Sequence, residues 1–202
     1  NVERAKKGLN KANSIWFWGA GTKPQLDNFE KKFGKKGAMI SAVDLLKGIA
    51  VGAGMNNIEV KGADGTLETN YEGKAEAAVK AVTENGNDFV YIHVEAPDEM
   101  GHQGSVEKKV KAIEYLDQRV IGPVYNRLTE LGEDFRMLVM PDHPTPICTR
   151  THSSDPVPYL LYDSTAEEEH TWNYDEKEAE KSGNYQENGY QLMNELLGTV
   201  SE

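Results

Sequence analysis

Apolar and polar positions follow two rhythms along this chain, and the switches between them mark its elements. Gly37 to Ile40, Asp88 to Glu95, Met137 to Met140 and Val157 to Tyr162 are short apolar runs fenced by Gly, Pro or Asp, which predicts strands. Ser14 to Gly19 (SIWFWG) predicts another short buried strand, with Ile15 and Phe17 on one face and Trp16 and Trp18 on the other. Asn57 to Val60 predicts a further strand, broken by the turn at 62–65.

Helical spacing fills the intervals. A helix is expected over 24–33, stopped by Gly34. Ser41 is expected to cap the next one, with Asp44 closing a capping box over Val43, Leu45, Leu46 and Ile49. Residues 71–83 carry an apolar stripe of Ala75, Ala78, Val79 and Val82, the mark of an amphipathic surface helix. Residues 105–131 predict the longest helix, with Val106, Val110, Ile113, Val120 and Val124 on one buried face, kinked or split at Gly122-Pro123. Asp117 falls on that stripe and is expected to be a buried carboxylate with a structural partner. Residues 163–184 read as a polar loop, and 185–197 as a last helix bearing Tyr190, Met193 and Leu197, stopped by Gly198. Strands alternating with helices predict an α/β sandwich with a mostly parallel sheet.

With 202 residues there is material for one buried core, so 1–202 is read as a single domain. The net charge of −11 is concentrated at the end, where residues 163–202 hold 11 acidic and two basic side chains. That balance argues against a nucleic-acid or anionic-membrane partner. An anionic substrate would need metal cations to approach such a surface. A single cysteine, Cys148, excludes an internal disulfide and, with no signal-peptide pattern or membrane-length apolar run, points to the cytoplasm. Cys148 has no neighbouring base and reads as a small packed thiol. Gly19-Ala-Gly21-Thr-Lys-Pro24 is no dinucleotide fingerprint, because proline stands in place of the third glycine.

The chemistry gathers at two strand ends. The 88–95 strand opens into Pro97-Asp98-Glu-Met-Gly-His102, and the 137–140 strand into Pro141-Asp142-His143, with His152 nine residues later. Asp98 and His102 are four apart, so a helical turn puts both on one face, where they can grip a common ion. Gly101 and Gly104 keep that loop tight. Asp142 and His143 are adjacent; on an extended backbone they point apart and would serve two neighbouring ions. His152 can complete either set. Carboxylate and imidazole donors suit Mn²⁺, Mg²⁺ or Zn²⁺, and a metal pair can clamp a phosphoryl group. His93, within its strand, can line the site or be a hydrogen-bonded core histidine; His170 reads as solvated.

In order and chemistry, PDEMGH, PDH and THSSDPVP resemble the alkaline phosphatase superfamily. With IWFWGAG, ISAVDLLKGIAVGAGM, HVEAPDEMGHQG and KVKAIEYLD, nearly the whole chain is similar to the C-terminal half of archaeal-type 2,3-bisphosphoglycerate-independent phosphoglycerate mutases. The resemblance implies an alkaline phosphatase-like three-layer sandwich, present here as a C-terminal fragment. It implies a glycolytic isomerase that moves a phosphoryl group between the 3- and 2-hydroxyls of glycerate through a phosphoserine. Asp98, His102 and His152 would hold one divalent cation, and Asp142 and His143 a second, of which the fragment would keep the first. Lys47 would meet the substrate phosphate. The nucleophilic serine and a further aspartate belong to a segment with no match here, so the chain alone is expected to be inactive.

Two other readings keep the same residues. One is a phosphatase or phosphotransferase with another acceptor, homoserine kinase-like for example. The other is a non-catalytic module stapled by a metal, whose site would be closed by four protein ligands.

Overall fold

The structure is a computed structural model that describes residues 1–17, 19–166 and 173–199. The expected reading of Trp18 and of His170 lies outside the described residues. In chain order the elements are α1 (Val2–Lys6), α2 (Phe29–Phe33), β1 (Gly37–Ile40), α3 (Asp44–Gly52), β2 (Asn56–Asn57), α4 (Tyr71–Thr83), β3 (Phe89–Ile92), α5 (Ala96–His102) and α6 (Val106–Leu116). A π-helical turn (Asp117–Ile121) joins α6 to α7 (Gly122–Leu131), and β4 (Arg136–Val139), β5 (Leu160–Asp163), α8 (Glu176–Ser182) and α9 (Leu192–Leu197) follow.

The centre is a parallel sheet in the order β2-β1-β3. All four residues of β1 are buried, as a central strand covered on both faces requires. On β3 the side chains alternate: Phe89 and Tyr91 meet Phe29, Phe33, Met55 and the α9 residues Met193, Leu196 and Leu197, while Val90 and Ile92 meet the main core. That core is built from Ile40, the α4 face Tyr71, Ala75, Ala78 and Val79, and Met100, Val120, Val124 and Leu128. Two clusters on opposite faces of one sheet make the expected three-layer sandwich. Phe29 stacks on Phe89 with ring centroids 5.2 Å apart, and each such buried ring contributes about 1.5–3 kcal/mol.

β4 and β5 do not join this sheet. They form a separate antiparallel pair, Val139 opposite Leu160. The chain that links them returns without a crossover helix, so only the antiparallel pairing is open to it.

Other expectations need correction. The described residues between 11 and 28 hold no regular structure, and Ile15, Trp16 and Phe17 are 84–90% exposed. No described strand offers that segment a ladder, and a lone strand cannot satisfy its backbone. The helix expected over 24–33 starts only at Phe29, where Asn28 accepts from the Lys31 N–H at 2.9 Å. Ser41 does not cap α3: Val43 is the cap residue, and the buried Ser41 hydroxyl accepts from the Val43 N–H at 3.0 Å. In the 105–131 helix, Val120 and Val124 are buried but Val106, Val110 and Ile113 are half or more exposed, and Asp117 is exposed. The π turn, closed by the Gly122 N–H on the Asp117 carbonyl, slips the register there, so the two halves of the stripe face differently. It also accommodates Pro123, which has no N–H to donate, without ending the helix. Cys148 is exposed, not packed. Among the described residues no helix is long and apolar enough to cross a membrane.

Candidate metal centre

α5 begins at Ala96, three residues separating it from the end of β3, with Pro97 in its first turn, where a missing N–H costs nothing. Its helical geometry puts Asp98 and His102 on one face, Oδ2 and Nε2 being 3.3 Å apart. The loop between β4 and β5 brings in His152, whose Nε2 lies 3.3 Å from Asp98 Oδ1 and 3.2 Å from His102 Nε2. One donor atom from each of the three residues lies within 4.8 Å of the others. Asp98 and His102 are half-buried and His152 is exposed, so the cluster opens to solvent on one side.

The donor set fits a cation. His102 Nδ1 lies 2.9 Å from the Arg150 carbonyl oxygen. A carbonyl only accepts, so Nδ1 carries a proton, which leaves Nε2, facing Asp98 and His152, as the atom through which a neutral imidazole would hold a cation. A carboxylate and two imidazole nitrogens converging in this way match the donors of Zn²⁺, Mn²⁺ and related divalent ions.

Asp142 and His143 form a second pair. The chain bends at 142–143, and in place of pointing apart the two side chains turn together, with Asp142 Oδ1 3.6 Å from His143 Nε2. The His143 ring lies against that of His152 at a centroid distance of 3.7 Å. The pair thus borders the first cluster, but among the described residues no third His, Cys, Asp or Glu completes it. Lys47, on α3, has its Nζ 3.4 Å from Glu59 and 3.7 Å from Asp44.

The floor of the site is polar and closely held. His93 Nδ1 is 3.4 Å from the Ser41 hydroxyl. Burial lowers the His93 pKa below its ordinary value, while the Asp142 carboxylate opposes that shift. Lys74 of α4 is fully buried and donates to the His93 carbonyl at 3.1 Å; burial depresses its pKa. Glu95, where β3 gives way to α5, is pushed up by burial and then by Glu99 and Asp98. Sequence reasoning passed over Lys74, although its spacing from Tyr71 and Ala78 puts it on the buried stripe. It also missed Thr145, for which no local pattern gave a signal.

Fold and donors define a class: a three-layer α/β protein with a carboxylate–imidazole site. The family follows directly. Residues 3–196 match the Metalloenzyme superfamily, and the chain belongs to it, which implies a divalent metal. It is 50% identical to the 2,3-bisphosphoglycerate-independent phosphoglycerate mutase of Methanosarcina acetivorans over 99% of this chain and 49% of that protein. A probable mutase of the same name from Geobacter sulfurreducens is 48% identical over 96% of this chain and 48% of the relative. The chain therefore spans about half the length of the curated relatives it matches. Among solved structures, a Pyrococcus horikoshii protein superposes with a TM-score of 0.73 at 28% identity, over 87% of this chain and 53% of that one. The cofactor-independent phosphoglycerate mutase from Thermoplasma acidophilum gives 0.62 at 25% identity, over 98% and 46%.

Proposed function

We propose that this chain is the metal-binding part of a 2,3-bisphosphoglycerate-independent phosphoglycerate mutase, an isomerase that interconverts 3- and 2-phosphoglycerate through a phosphoserine. The carrying observation is the convergence of Asp98, His102 and His152 within 4.8 Å. In this reading they hold one Mn²⁺ or Mg²⁺, and Asp142 and His143 contribute to a second. Metal charge there would neutralise the oxygens of a transferring phosphoryl group. The chain's own residues orient the donors: Arg150 fixes the His102 tautomer, and the helical turn of α5 spaces Asp98 from His102.

Three protein donors with one side open support a catalytic over a closed structural site, since a structural ion takes four protein ligands. A separate phosphatase or kinase reading finds no support beyond the shared donors, whereas the half-identical relatives carry the mutase name. The cytoplasm is the proposed location, with a phosphorylated small molecule as partner and neither nucleic acid nor membrane. Turnover by this chain alone is not expected. Ser41 is buried beneath the site, its hydroxyl accepting from the Val43 N–H, so it is not presented to a substrate.

Calorimetric titration of the chain with Mn²⁺ tests the metal reading; absence of uptake would overturn it. A coupled assay on 3-phosphoglycerate tests the rest, because conversion by this chain would refute its dependence on a nucleophile from elsewhere.

A further inference from the structure

Thr145 joins the two donor sets. It is 3% exposed, and its hydroxyl lies 2.5 Å from Asp98 Oδ1 and 3.4 Å from His143 Nδ1. A hydroxyl has one proton and two lone pairs. Asp98, a carboxylate, can only accept, so the proton goes there. Toward His143 the same oxygen must then accept. The other neighbour of His143 Nδ1 is the Pro144 carbonyl at 3.4 Å, again an acceptor. Two acceptors at 3.4 Å face Nδ1 against the single, longer contact of Nε2 with Asp142 Oδ1 at 3.6 Å, so Nδ1 carries the hydrogen and Nε2 keeps its lone pair.

The rest of Thr145 is fixed from a third element. Lys109 of α6 donates to its carbonyl at 2.6 Å. Gly101 lets α5 approach the same carbonyl, since a Cβ at position 101 would stand 2.6 Å from that oxygen. The backbone that carries the hydroxyl is therefore seated against both α5 and α6.

We propose that Thr145 is a positioning residue for both candidate cation sets, donating to Asp98 while accepting from His143 and so presenting His143 Nε2 to a metal. This rests on the metal reading above. It adds that one buried hydroxyl couples the two sets, as outer hydrogen bonds orient metal ligands generally.

The test uses the whole chain, with Mn²⁺ as the probe. Thr145→Val keeps the shape and removes the hydroxyl; its Mn²⁺ affinity is expected to fall about tenfold or more, the usual effect of losing an outer partner. Thr145→Ser is expected to retain wild-type affinity. Long-range ¹H–¹⁵N spectra of the metal-free wild type should show His143 protonated at Nδ1, with mixed tautomers in Thr145→Val. Equal affinity in Thr145→Val, an equal loss in Thr145→Ser, or an Nε2-protonated His143 in the wild type would overturn the proposal. The wild-type spectrum decides even if Thr145→Val does not fold. No Mn²⁺ uptake by the wild type would instead remove the metal reading and this inference together.

Discussion

The Nδ1 of His102 donates to the carbonyl oxygen of Arg150, 48 residues on in the sequence, at 2.9 Å. Arg150 is the one described non-glycine residue with positive φ, at 54°. A side chain held there costs on the order of 1–3 kcal/mol, and the backbone is kept in place by the Arg150 N–H on the Pro146 carbonyl at 2.8 Å. The strained turn aims a carbonyl at a candidate ligand.

Position 150 can therefore be separated into backbone and side chain. Arg150→Gly keeps the left-handed turn and the carbonyl, so Mn²⁺ affinity should stay near wild type. Arg150→Pro forbids positive φ and removes the N–H; it should weaken binding by at least about tenfold, as loss of an outer partner does. Calorimetry on both variants checks this, and similar affinities would mean that the Arg150 carbonyl does not orient His102.

The three convergent donors should be unequal to their neighbours. Asp98→Asn, His102→Ala and His152→Ala are each expected to weaken Mn²⁺ binding by more than the roughly tenfold loss of an outer partner. His143→Ala, which removes a ring packed against His152 and a partner of the Thr145 hydroxyl but no donor of the first set, should have a smaller effect on that first ion. Metal analysis after dialysis gives the ranking; a His143 variant as poor as the Asp98 variant would regroup the sets.

His93 supplies a pH signature. Burial holds its folded pKa below the ordinary value of about 6.5. Its contribution to stability is therefore complete above that pH and is lost as pH falls from there toward the folded value. The Asp142 carboxylate favours the charged imidazole, so Asp142→Asn should lower the His93 pKa further and deepen the loss of stability toward acid. Imidazole proton shifts followed by NMR between pH 4 and 8 report it, and an upward move would place Asp142 away from the end of β3.

How far the sequence disclosed all this depended on range. β1 and α4 were readable because a buried strand and an amphipathic helix write their periods locally, and both end where expected. Asp98 and His102 were readable for the same reason, as one helical turn. The stripe of Val106, Val110 and Ile113 misled, because the π turn changes which face the later valines present. The aromatic run at 15–17 misled because strand propensity needs a partner strand that local pattern cannot supply. Thr145 and Arg150 act on α5 across 47 and 48 residues, and no periodicity records contacts of that reach.

Gly101 gives the last prediction, since it decides how closely α5 can approach the 140–159 loop. A methyl group there would stand 2.6 Å from the Thr145 carbonyl oxygen and 3.0 Å from Lys109 Nζ. The lysine end can swing away, but the carbonyl is backbone, and the strain must move the loop. Gly101→Ala raises helix propensity by about 1 kcal/mol, yet overpacking of this kind costs typically about 1–3 kcal/mol. The second effect should win: lower thermal stability, and weaker Mn²⁺ binding as Thr145 and His152 shift from Asp98. Melting curves and titrations together check it. A variant both more stable and unchanged in metal affinity would show that the loop is not seated against this glycine.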